Sequence, residues 1–137
     1  MPNMFNVRVY GLWIHDGNIL IVEEPVRGQM IRKFPGGGLE FGEGIIDCLR
    51  REFREELSME ISDIHHFYTT DFFVQSMIDP SHQVISIYYT VSGDPALAIF
   101  DKEEQLQFKW MPINDLHPDL FALPIDKKVV SLLCEHQ

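Results

Sequence analysis

Basic residues are scarce: 11 Lys and Arg stand against 21 Asp and Glu in 137 residues, for a formal net charge of −10. That shortage argues against broad nucleic-acid binding, which rests on a basic face. It leaves room for one small anionic ligand, provided local arginines or metal ions hold it against the overall field. Cysteine is nearly absent. Cys48 and Cys134 have no paired metal spacing and read as reduced thiols in a cytoplasmic chain. No apolar run approaches the roughly 20 residues a membrane helix needs. The opening "MPNMFNVRVYG" lacks a basic segment followed by an apolar core and a small-residue cleavage site, so secretion is not expected. Internal repeats, low-complexity segments and linkers are missing as well. The remaining composition, 45% apolar and 23% charged, is that of a soluble globular protein, with residues 1–137 read as one domain.

Strand patterns come first along the chain. Phe5, Val7 and Val9 alternate with Asn6, Arg8 and Tyr10, which predicts a half-buried strand. The Asp-Gly in "HDGN" predicts a hairpin turn, with Ile19–Val22 as the returning strand. Pro25–Met30 reads as a loop and Ile31–Phe34 as a short extended piece before Pro35 and three glycines. His66–Val74 and Val84–Val91, rich in aromatic and β-branched residues, predict two strands. Leu106, Phe108 and Trp110 alternate with Gln105, Gln107 and Lys109 in another. Two helices are expected. Ile46, Leu49, Phe53 and Leu57 form the apolar face of one, and Ile125, Val129, Leu132 and Leu133 follow Pro124 in the other. Mixed strands with two helices predict a sheet sandwiched between helices.

The first helix carries an unusual charge pattern. At 100° per residue Glu52, Glu55 and Glu56 fall within an arc of about 100° beside the apolar face. Arg51 can reach Glu55 four residues on, whereas Glu52 and Glu56 have no lysine or arginine three or four residues away on their own side. Each like-charge pair costs roughly 0.2–0.5 kcal/mol on an exposed helix, and more where water is scarce. A solvated acidic face is the bland explanation. The flanks favour another, because "FPGGG" and "EFGE" supply a bent loop whose glycines let backbone approach a ligand closely. A hard divalent cation would resolve the repulsion, since Mg²⁺ needs only one or two carboxylates plus water and phosphate oxygens.

These residues resemble the signature of the Nudix hydrolases, G-x5-E-x7-R-E-U-x-E-E-x-G-U with U a bulky apolar residue. Gly37, Glu43, Arg51, Glu52, Phe53, Glu55, Glu56 and Met59 match in register. Ser58 replaces the last glycine, so a slightly different helix exit is expected with the chemistry retained. The resemblance implies a Nudix-type α/β/α sandwich around a mixed sheet. It also implies a Mg²⁺-dependent pyrophosphohydrolase, with Mn²⁺ able to substitute, acting on a nucleoside triphosphate or on a nucleotide sugar such as ADP-ribose. A silent nucleotide-binding sensor of the same fold is the alternative, and prenyl diphosphate isomerisation a weaker third.

By the same resemblance Glu52, Glu55 and Glu56 would bind metal, and Gly36 would lend its carbonyl. Arg51 would orient the acids, and Glu43 would stabilise the loop–helix corner. Glu104, with Glu103 as second choice, would supply one more metal ligand. Family members are often dimers, so a homodimer is an expectation. For the phosphates, the cations near the loop are Arg8, Arg27, Arg32 and Lys33, each also readable as a solvated charge. For the base, Tyr10, Phe72, Phe73, Tyr88, Phe121 and His117 are candidates, although strand aromatics are usually core.

Overall fold

The longest strand organises the sheet. β1 (Met4–His15) runs parallel to β6 (His82–Ser92) from the Met4–His82 pair to the Trp13–Val91 pair. Its other edge pairs antiparallel with β4 (Gly36–Gly38) and then, at its end, with β2 (Asn18–Val26). Beyond β2 lie β3 (Gln29–Lys33) and β7 (Gln107–Pro112), and β5 (Ser62–Thr69) closes the far edge beside β6. The computed structural model describes residues 1–135.

One helix covers each face of this mixed sheet of seven strands. On β1, Val9 and Trp13 face α1 (Ile45–Leu57), while Tyr10 and Leu12 face α2 (Pro124–Glu135). On β2, Leu20 joins the first core, and Ile19 and Ile21 the second. Burial on both faces explains the unbroken apolar run of β2, where alternation would leave one face wet. The early alternation on β1 misleads: Phe5 is 70% exposed, and the β1 residues that join the two cores begin only at Val9.

Both tight turns use left-handed backbone. Asp16 and Gly17 have φ of 50° and 77°, the geometry of a primed two-residue hairpin turn. Arg27 and Gly28 repeat it at 50° and 81°. The segment 25–30 is therefore a hairpin tip, with Pro25 opposite Met30 and Val26 opposite Gln29, and not the expected loop.

Three further expectations need correction. β5 begins at Ser62 and ends at Thr69, well short of Val74. There the Thr70 N–H and hydroxyl both donate to the Ser86 carbonyl, and the hydroxyl accepts from the Ser86 N–H, so a side chain takes over one of the two ladder bonds. Ile46 is 36% exposed at the start of α1, outside the core formed by Leu49, Phe53 and Leu57. Ser58 caps that helix with φ 51° and ψ 38°. Its N–H bonds to Arg54 and that of Met59 to Phe53, so the glycine-type exit is preserved rather than altered.

Candidate active site

Three consecutive glycines meet three side chains of α1. The Gly36 N–H donates to Glu56 Oε2 at 3.2 Å. A Cβ on Gly37 would sit 2.6 Å from Glu52 Oε1 and 2.7 Å from its Oε2, so only glycine admits that carboxyl. The Gly38 carbonyl accepts from Arg51 Nη2 at 3.0 Å. Phe53 anchors the helix at this height, because its ring lies where a Cβ of Gly11 would be, at 2.5 Å.

Arg51 is the hub of the acids. Its guanidinium donates to both Glu43 oxygens at 3.0 and 2.8 Å, to Glu52 Oε1 at 2.9 Å and to Glu55 Oε2 at 3.2 Å. Glu52 thus finds a cation in its immediate neighbour, which helical i±4 arithmetic does not show. The Arg51 hydrogen bonds, joined by the Glu40 N–H, pull the Glu43 carboxyl down to about 2 and keep it a structural anion at the loop–helix corner.

The other acids differ by burial. Glu55 is about half exposed, Glu52 mostly covered and Glu56 only 7% exposed. Burial is the main cause that raises the Glu52 carboxyl, against the pull of Arg51. Burial first and the Glu52 charge second push Glu56 up to about 8; Lys33 and the Gly36 N–H oppose them, and Glu103 adds to the rise. These are two desolvated, mutually repelling hard-oxygen groups with few compensating donors. Among the described residues no three His, Cys, Asp or Glu side chains form a ready-made metal cage. Mg²⁺ does not need one, because waters and substrate phosphates complete its shell. The chemistry of Glu52 and Glu56 suits a divalent ion, and these two acids, with the more exposed Glu55 beside them, are the side chains that could hold one.

A cleft of about 390 Å³ lies beside this site, between the β2–β3 tip, residues 74–78 and the start of α2. Arg8, Arg27 and Lys33 line it, along with Tyr10 and Tyr88. The Arg8 charge reaches Glu52 and the Lys33 charge reaches Glu56, which ties the cleft to the acids. Arg32 is elsewhere: it donates to the Leu120 carbonyl at 2.7 Å and to Glu23 at 3.0 Å, clamping β3 to the turn at Pro118–Leu120. His117 is exposed and accepts from the Asp119 N–H, capping that turn outside the cleft. Phe121 stacks on Phe34 in the core, while Phe72 and Phe73 face solvent. Glu103 and Glu104 are both exposed before β7, and it is Glu103 whose charge acts on Glu56.

Two cleft carboxylates escaped the sequence reading. Glu24 pairs with Lys33, and Asp126 accepts a hydrogen bond from Tyr88. The β2–β3 hairpin register could have suggested the first. Nothing local marks Asp126, since its place depends on how α2 packs.

A family model described as NUDIX domain matches residues 4–133, and the chain belongs to that family. It is a hydrolase acting on phosphoanhydride bonds, in a family that generally uses a divalent metal. Solved structures share the fold. A NUDIX hydrolase from Nitrosomonas europaea aligns with a TM-score of 0.74 and 20% identity over 99% of this chain and 90% of that one. A MutT NUDIX hydrolase from Burkholderia pseudomallei gives 0.73 and 16% over 95% and 98%. A MutT protein from Bacillus halodurans gives 0.71 and 15% over 92% and 80%.

Proposed function

We propose that this chain is a Mg²⁺-dependent pyrophosphohydrolase that cleaves the diphosphate link of a nucleoside triphosphate or of a nucleotide sugar such as ADP-ribose. The observation that carries this reading is the glycine strand: Gly36, Gly37 and Gly38 each meet Glu56, Glu52 or Arg51, beside a cleft lined by cations. Glu52 and Glu56 would hold the ion, with Mn²⁺ able to replace Mg²⁺. An ion held there would supply charge neutralisation for the phosphates and a lowered pKa for a bound water.

The protein's own groups position the rest. Arg51 fixes Glu52 against Gly37 and steadies Glu55. Lys33 and Arg8 receive phosphate oxygens, and an acid of the same helix takes the proton of the attacking water. Positioning and electrostatics supply most of the acceleration in such in-line displacements. Arg27 extends the cation row to the cleft mouth. The reading includes a cytoplasmic chain with small-molecule partners, no nucleic acid or membrane, and a homodimer.

The test is a panel of nucleoside triphosphates and nucleotide sugars with Mg²⁺ or Mn²⁺, scoring released phosphate or monophosphate. Turnover that requires the ion is expected. Binding without turnover would make the chain a silent sensor and overturn the proposal.

A further inference from the structure

Lys33 stands between two carboxylates. It leaves β3 beside Val22, its direct partner on β2, yet its ammonium pairs with Glu24, which lies opposite Ile31, nearer the hairpin tip. The side chain therefore bends back along its own strand, away from Gly36, whose N–H holds Glu56. Even so, the Lys33 charge favours the Glu56 anion. Two acids thus compete for one ammonium, and Glu24 has it.

The hairpin does not need this pair to close. Glu23 and Arg32, directly opposite each other on the other face of the two strands, already join them at 3.0 Å. Arg8, a second cleft cation, is held differently: its Nε donates to the Tyr10 hydroxyl at 2.5 Å, and its guanidinium lies over the Tyr10 ring. Lys33 has no such tether. Among the described residues Glu24 is its one ion-pair partner, and an ammonium on a flexible four-carbon stem goes where charge directs it.

We infer that Glu24 is a positioning residue that keeps the Lys33 ammonium off Glu56, leaving Glu56 open to the divalent ion and Lys33 turned toward phosphate. The inference rests on the reading of Glu52 and Glu56 as the acids that hold the ion. The Lys33 and Glu24 side chains are only 15% and 23% exposed, so water screens the pair poorly. Without the Glu24 charge a mostly covered ammonium is left uncompensated, and Glu56 and Asp126 are the acids its charge already reaches. Asp126 accepts the Tyr88 hydroxyl, whereas Glu56 is repelled by Glu52 and has the Gly36 N–H as its donor. Lys33 then moves to Glu56 and takes the place of the metal's charge there.

Mn²⁺ titrations of the full chain, followed by the electron paramagnetic resonance of the free ion, test this without turnover. Glu24→Gln is expected to weaken Mn²⁺ binding about tenfold, within the range of coupling between contacting groups. The change is close to isosteric and the Glu23–Arg32 pair remains, so the hairpin stays closed. In a Lys33→Ala background the same substitution should alter affinity by less than about twofold, because the competing ammonium is gone. A loss of equal size in both backgrounds would mean that Glu24 acts through its own charge on the ion, and overturns the inference. An unchanged affinity in Glu24→Gln overturns it too. The expected Mn²⁺ pattern without hydrolysis of any nucleotide would instead sink the hydrolase reading and leave Glu24 in its role. Ion-dependent hydrolysis beside an insensitive Glu24→Gln would do the reverse, and a wild-type chain that takes up no Mn²⁺ overturns both.

Discussion

Glu56 shows how a single carboxyl links burial to function. Its proton affinity rises from 4.5 in the unfolded chain to about 8 in the fold. The sign follows: Glu56 favours the metal-free fold most below about pH 4.5, and that contribution is lost as pH rises through about 8. Glu56→Gln is therefore expected to stabilise the metal-free protein by about 1–3 kcal/mol at pH 9, with little change at pH 5. The same variant should lose at least about 100-fold in Mg²⁺-dependent kcat/KM, a loss of the size seen when one electrostatic stabiliser is removed. Thermal unfolding in chelator at the two pH values, beside steady-state kinetics, checks both. Among the cations, Lys33→Ala is expected to raise KM about tenfold, whereas Arg32→Ala should leave KM unchanged and lower the melting temperature, since Arg32 serves the Leu120 carbonyl.

At the scale of elements, the contact between β4 and α1 decides the site. Gly37→Ala would place a methyl group 2.6 Å from Glu52 Oε1, so kcat should fall about 10- to 100-fold through displacement of that acid. Retained activity in a correctly folded Gly37→Ala chain would contradict the proposed role of this contact. The end of α1 tests a different cost. Ser58 is exposed and holds a left-handed backbone that disfavours residues with a Cβ. Ser58→Gly is expected to add about 0.5–1 kcal/mol of stability without touching catalysis, measurable by denaturant unfolding.

For the whole molecule, charge sets the terms of binding. A chain of net charge −10 opposes any nucleotide at long range, and the cleft cations act only locally. Nucleotide affinity is expected to drop at least about tenfold when divalent ions are removed by chelator, measured calorimetrically. Burial under two helices explains why the same fold contains both a desolvated acid pair and a sheltered Asp126.

The family, the two helices and the acidic helix with its glycine run were all legible in the amino-acid order, because they depend on spacing along one or two adjacent elements. Arg51 reaching Glu55 belongs to that class, being one helical turn away. What the order of residues could not supply were contacts between segments distant in the chain. Arg32 against Leu120, the Glu103 charge at Glu56 and Asp126 beneath Tyr88 each join residues more than 30 positions apart. Such meetings are set by how the helices pack on the two faces of the sheet, and desolvation, the cause of the shifted acids, exists only once that packing is complete.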